Sequence, residues 1–387
     1  MTWIDRCRRF VGERTLPLLA ELVAAPSVNP PGHEDLAARP LADFLARHGL
    51  RPEWQETEPE RPNLLAAVEG GRSGRAFALC SHLDVVPPGD PRLWSGDPFS
   101  PRLEGGRLFG RGACDAKGSL AAMAVATAFW AREGLPQGRL LLAAVCGEER
   151  GGTGAKFLVA SGWRADGAVI GEPTNLQVLL GHNGRLVVTV TIEGRGGHAS
   201  QPGGAANPLD QLGEVLGRLR ALSAEVGRRR HPLIGNASLT TTQVSSGDTN
   251  AATIPSRVTL SLDRRLLPGE THDQAGREVA EALAGLPGVA AKWLTGAQPY
   301  LLTGHEPLVA ACVEGARAAG GDRLAPGGFP ATCDQYILGL AGIPTTILGP
   351  GDLVANRTHA PDEFVEAAAV EQAALAYAAA ARAFLES

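Results

Sequence analysis

The chain has 387 residues and carries 36 Lys and Arg against 41 Asp and Glu, a formal net charge of −5. That balance excludes the basic footprint of a nucleic-acid binder, and the densest cationic run, Arg228 to Arg230 beside His231, reads as a solvated helix end. With 44% hydrophobic and 20% charged residues, the composition excludes global disorder, and the length predicts two domains.

The N-terminal Met1 to Phe10 carries Asp5, Arg6, Arg8 and Arg9 with no apolar run behind it, so it does not read as a secretory leader. The stripes Leu16, Leu18, Leu19, Leu22, Val23 and Leu36, Leu41, Phe44, Leu45 predict two successive helices, ending at Pro26 and Gly49. Short β-rich runs follow at Asn63 to Val68 and Arg75 to Cys80, the second leading into His82. Helix Gly118 to Arg132, strand Arg139 to Cys146, helix Thr153 to Ser161 and strand Gly167 to Ile170 come next. This alternation predicts an α/β layer with a largely parallel sheet. The longest apolar stretch, Leu120 to Trp130, has eleven residues, too few for the roughly 20 of a membrane span. A cytoplasmic protein is expected.

After Leu180 the pattern changes. Gly184 to Gly194 alternates as a half-buried antiparallel strand, and helix Ala206 to Val226, strands Leu239 to Val244 and Val258 to Leu262, helix Thr271 to Leu286 and strand Val289 to Leu294 follow it. This β-α-β-β-α-β order is ferredoxin-like and predicts a domain over 181–294 inserted into one formed by 1–180 and 295–387. From Glu306 the α/β pattern resumes, with helix Leu308 to Ala319, strand Pro344 to Leu348 and a long Ala-rich helix from Glu363 to Leu385.

In an open α/β sheet, ligands bind at the carboxyl ends of the strands, where His82, Glu148, Glu149 and Glu172 all fall. His33, His48, His231, His272 and His305 read instead as surface residues. His82 and Asp84 leave the same face if the backbone stays extended, which fits a histidine oriented by a carboxylate in a metal site or a plain strand end. Gly110 to Gly118 places Asp115 just before a helix, as a metal ligand or as an N-cap; it lacks the spacing of a phosphate loop. Glu148 and Glu149 directly follow an apolar strand. They are either a solvated acidic turn or a pair in which one binds a cation and the other takes a proton. Glu172 ends the next strand, and His359 precedes the last helix. The six cysteines, Cys7, Cys80, Cys114, Cys146, Cys312 and Cys333, are scattered without a CxxC and read as reduced thiols.

Ser81-His82-Leu83-Asp84, Gly110-Arg111-Gly112 to Asp115, Gly147-Glu148-Glu149, Gly171-Glu172-Pro173-Thr174, Gly196-Gly197-His198-Ala199-Ser200 and Thr358-His359-Ala360-Pro361-Asp362-Glu363 together resemble the acetylornithine deacetylase/succinyl-diaminopimelate desuccinylase family of dinuclear zinc hydrolases, which includes aminoacylases, carboxypeptidases and dipeptidases. The resemblance implies a zinc-peptidase-like catalytic domain and an inserted domain for dimerisation. It implies that Asp115 bridges two Zn2+ ions, replaceable by Co2+ or Mn2+, with His82 and Glu172 on one and Glu149 and His359 on the other. Glu148 would be the general base, Asp84 would hold His82, and His198 would reach a partner subunit's site in a homodimer. It also implies a cis peptide at Asp115–Ala116. Arg265, in Asp263-Arg264-Arg265, would meet a substrate carboxylate; Asn250 is the candidate for a substrate-side amide, because Ala252 stands where the family often has asparagine. Cys333-Asp334 would line the pocket. The expected reaction is hydrolysis of an N-acyl amino acid such as acetylornithine. The alternatives are a carboxypeptidase or dipeptidase and, from another class, a non-catalytic zinc-bound binding protein.

Overall fold

A computed structural model describes residues 1–204, 206–247, 250–294 and 296–387. Thr295, where the sequence reading places the return to the first domain, lies outside the described residues. The chain divides into two units: Met1–Gly181 with Leu302–Phe329 and Cys333–Ser387, and His182–Leu301 with Pro330–Thr332.

In the first unit, four parallel strands lie in the order Arg139–Val145, Ala76–His82, Gly167–Ile170 and Thr345–Ile347. Antiparallel strands extend both sides: Arg61–Glu69 and then Glu53–Glu58 beyond Arg139–Val145, and Leu179–His182, through Leu179, beyond Thr345–Ile347. The sheet is therefore mixed, with a parallel centre. Helices Lys117–Glu133, Ala367–Glu386 and Trp3–Ala24 pack on one another. Lys117–Glu133 is buried on every side from Lys117 to Trp130, which its alanines permit by letting neighbouring backbones come close. Leu18, Leu19, Leu22 and Leu41 are fully enclosed, each worth about 1.5 to 3 kcal/mol in apolar burial. The chain leaves this unit after Gly181 and returns at Leu302, whose N–H donates to the Leu180 carbonyl at 2.8 Å.

The second unit is a four-stranded antiparallel sheet in the order Ser238–Ser245, Arg257–Leu266, Gly184–Glu193, Val289–Leu294, with helices Pro208–Val226 and His272–Ala282. This is the ferredoxin-like arrangement. Leu186, Val188, Val190 and Ile192 are buried in one core with Val215, Leu219 and Val279, and the intervening Val187 is exposed.

Two local expectations are corrected, and one strand lies outside those expected. Residues Phe364–Glu366 form a strand on Arg107–Phe109, and the last helix starts only at Ala367. The polar segment Glu53–Glu58 is an edge strand; an edge needs no apolar alternation. His272 is buried, its Nε2 donating to the Ala297 carbonyl at 3.1 Å. Among the described residues, no helix is long and apolar enough to cross a membrane.

Candidate metal centre and active site

Because the four central strands are parallel, their carboxyl ends open on one side, and the chemically typed residues gather there. His82 is the last residue of its strand. Glu148 and Glu149 start a short turn after Val145, entered through Gly147 at φ 74°. Glu172 follows Ile170 by two residues. Asp115 precedes the buried helix, its peptide to Ala116 being cis, and His359 sits at φ 60° in the loop after Thr345–Ile347.

The carboxylate of Asp115 stands between two imidazoles: His82 Nε2 is 3.3 Å from Oδ1, and His359 Nε2 is 3.3 Å from Oδ2. His359 Nε2 also lies 3.2 Å from Glu149 Oε1, and His82 Nε2 lies 3.9 Å from Glu172 Oε1. One ligand atom from each of His82, Asp115 and Glu149 falls within 4.8 Å of the others. The donor set, carboxylate oxygen and imidazole nitrogen, suits a borderline divalent cation. A carboxylate with an imidazole on each oxygen could serve as a ligand to more than one cation.

The tautomer of His82 is fixed. Its Nδ1 is 2.9 Å from the Asp84 backbone carbonyl, which can only accept, so Nδ1 carries a hydrogen and, in the neutral ring, the lone pair is on Nε2. The Asp84 carboxylate lies farther off, Oδ1 at 3.6 Å. Its oxygens accept instead from the Glu148 N–H (3.1 Å), the Glu149 N–H (3.2 Å) and the Asn29 amide (2.9 Å). Residue 84 thus orients the histidine through its backbone and the Glu148–Glu149 turn through its side chain.

A second buried carboxylate repeats this device. Glu363 Oε1 accepts the N–H groups of both Cys114 and Asp115 at 3.0 Å, while Oε2 pairs with the buried Arg111. Sequence reading quoted Glu363 and Arg111 inside motifs and gave them no role; nothing local marks a partner 248 residues away.

Electrostatics follow from this crowding without a cation. Burial pushes the Glu148 carboxyl well up, reinforced by Asp334. It raises Glu172 likewise, with the charges of Asp115 and Glu149 adding to it, and it raises Glu149. Burial opposes ionisation of Asp115 too, but its hydrogen bonds to His359 and His82 win and lower it. His359 is raised to about 10 by its hydrogen bonds to Asp115 and Glu149. For His82, burial opposes the charged ring, yet the bond to Asp115 and the charges of Glu172 and Glu148 raise it well above its usual value. Protons on the imidazoles thus hold the anionic cluster together, in the place a dication could take.

The other candidates fall each within one of the two units. Asp334 is buried, raised to about 7 by burial, and its Oδ1 sits 2.3 Å from where a Cβ on Gly152 would be. In the second unit, His198 is exposed, its Nδ1 taken by Ser200 Oγ at 2.7 Å. Arg265 Nε bonds Asp263 at 2.7 Å, and Arg264 turns inward to Glu270. Asn250 is exposed and caps a turn, Oδ1 accepting from Ala252 N–H at 2.9 Å. All six cysteines are buried and unpaired.

Comparison with known proteins gives the family. Residues 78–383 match the model of peptidase family M20/M25/M40. A succinyl-diaminopimelate desuccinylase of Methylorubrum extorquens (strain PA1) is 33% identical over 383 residues, 94% of this chain and 96% of that protein. Succinyl-diaminopimelate desuccinylase 2 of Ruegeria sp. (strain TM1040) is 34% identical over 257 residues, a match spanning 63% of this chain and 64% of that one. An M20 family metallo-carboxypeptidase from Sulfolobus solfataricus shares the fold with TM-score 0.80 at 20% identity, over 96% of this chain and 99% of that one. So does a dinuclear metal binding peptidase from Bacillus subtilis, with TM-score 0.71 at 16% identity over 97% and 99%. The chain therefore belongs to peptidase family M20/M25/M40, and it is a metal-dependent hydrolase of amide bonds.

Proposed function

We propose that the protein hydrolyses the amide of an N-acyl amino acid, releasing a carboxylate and a free amine, with two Zn2+ ions per subunit that Co2+ or Mn2+ can replace. The observation that carries this reading is Asp115 with an imidazole on each of its oxygens. His82 and Glu172 would hold one ion and Glu149 and His359 the other, so that with Glu148 beside them four carboxylates balance two dications. Bound there, the ions would polarise the scissile carbonyl and acidify a water.

The chain's own groups do the rest. Glu148, raised by burial, takes the proton of the attacking water and delivers it to the leaving nitrogen. Arg265 pairs with the substrate carboxylate by its forked donors, and Asn250 offers an amide to the substrate. His198, contributed by the partner copy in a homodimer joined through the inserted unit, steadies the tetrahedral oxyanion. The relatives named as desuccinylases favour a succinyl or similar acyl group over acetyl. The shared fold of a metallo-carboxypeptidase supports the second reading, a peptidase on short peptides. A cytoplasmic location completes the proposal.

The test is hydrolysis of acetylornithine, succinyl-diaminopimelate, acetylmethionine and several dipeptides by metal-stripped protein before and after adding zinc. Zinc-dependent amine release from an N-acyl compound is expected. Release from dipeptides alone would select the peptidase reading, and no turnover with two ions bound would favour a binding protein. Glu148→Ala should keep its metals and lose turnover by about 10²-fold or more.

A further inference from the structure

We propose that Asn29 is a positioning residue of the hydrolytic site: its side-chain amide holds the Asp84 carboxylate in the orientation that sets the backbone of Glu148 and Glu149. The inference rests on the reading of Glu148 as base and Glu149 as ligand.

Asp84 is fully buried and, among the described residues, is bonded by neutral donors. Oδ1 takes the Glu148 N–H at 3.1 Å, and Oδ2 takes both the Glu149 N–H at 3.2 Å and Asn29 Nδ2 at 2.9 Å. The Asn29 bond is the shortest of the three, and it is the one that comes from outside the Glu148–Glu149 turn. Without the amide, the carboxylate is held only by the two N–H groups of the turn it is meant to anchor, and nothing outside that turn fixes its orientation. The turn it anchors carries the proton-transferring carboxylate and a metal-facing carboxylate on successive residues. A displacement of about 1 Å at such a group costs on the order of 10²-fold in rate.

The position of Asn29 does not depend on this bond. Its backbone N–H donates to the Val85 carbonyl at 2.9 Å, the Val85 N–H donates to the Ser27 carbonyl at 3.0 Å, and Ser27 Oγ donates to the Leu83 carbonyl at 2.7 Å. Segment 27–29 is thus stitched alongside 83–85 by groups that a change of the residue 29 side chain leaves in place. The amide is left with one task, since Asp84 is its only hydrogen-bond partner among the described residues.

The experiment compares Asn29→Leu, which keeps the volume without a donor, and Asn29→Asp, which presents a second carboxylate to Asp84. Amide hydrogen exchange over residues 146–152 is measured on the metal-free proteins, and kcat and KM on the zinc-loaded ones. Expected are faster exchange in that segment alone and a fall in kcat of about 10- to 100-fold with KM within about threefold, larger for Asn29→Asp. Wild-type exchange at 146–152, or wild-type kcat in Asn29→Leu, would overturn the proposal. Exchange accelerated throughout the first unit would assign Asn29 to packing and overturn it equally. If the wild-type protein hydrolyses nothing, the functional reading has failed, and the exchange measurement on metal-free protein still decides the role of Asn29.

Discussion

At the scale of single residues, the proposed metal ligands carry protons that a bound cation would displace. His359 is raised to about 10 by Asp115 and Glu149, so at any lower pH its ring holds a proton that must leave before Nε2 can bind metal. Metal uptake should therefore release protons, and affinity should rise with pH through neutrality. Calorimetric titration in buffers of different ionisation enthalpy reads the number released. Asp334 has the opposite sign. Its folded carboxyl is raised to about 7, and Oδ2 has no hydrogen-bond partner among the described residues. Between about pH 4 and 7 the folded protein keeps a proton that the unfolded chain has lost, so stability falls as pH rises through that window, by a few kcal/mol at most. Asp334→Asn should raise the melting temperature of metal-free protein at pH 8 and leave it unchanged at pH 4, as thermal denaturation at both values would show.

At the scale of elements, strand ends and turns carry the site. The turn after Arg139–Val145 passes through Gly147, Gly151 and Gly152, all at positive φ, and a Cβ on Gly152 would meet Asp334 Oδ1 and Ile337 Cδ1 at 2.3 Å. Gly152→Ala should destabilise the first unit by about 1 to 3 kcal/mol and lower activity with it; urea unfolding measures the first. This scale also shows what the sequence could tell. His82 and Glu149 stood out because metal chemistry restricts residue type and strand-end placement is local, whereas Asp115 and His359 joined them only through the order of the motifs that carry the family resemblance. The groups that set their backbones were not legible, since Asn29 meets Asp84 across 55 residues and Glu363 meets Asp115 across 248, and no periodicity encodes such a pairing. The strand Phe364–Glu366 was hidden for another reason: the Ala-rich pattern just downstream absorbs it into a helix. Edge strand Glu53–Glu58 has no apolar face to announce it.

At the scale of the whole molecule, the open question in the proposed mechanism is how His198 acts. In a homodimer that shares His198 across subunits, mixing Glu148→Ala with His198→Ala, each inactive alone, should restore about a quarter of wild-type activity once subunits exchange, because half the dimers then hold one complete site. Action within one chain would restore none. Activity recovery against time after mixing distinguishes the two.

The hydrogen bond from Leu302 to Leu180, beside the pairing of Tyr300–Leu301 with Leu179–His182, makes the stretch 182–301 equivalent, for the first unit, to a hairpin turn. Loop-closure cost grows only about 0.6 kcal/mol per doubling of length, so the metal-bearing half is nearly indifferent to the size of what hangs between those residues. The inserted half can then be lengthened, recut or replaced over evolution while the hydrolytic half stays the same. On the roles proposed for His198 and Arg265, one reaction could thereby be supplied with many different choosers of substrate.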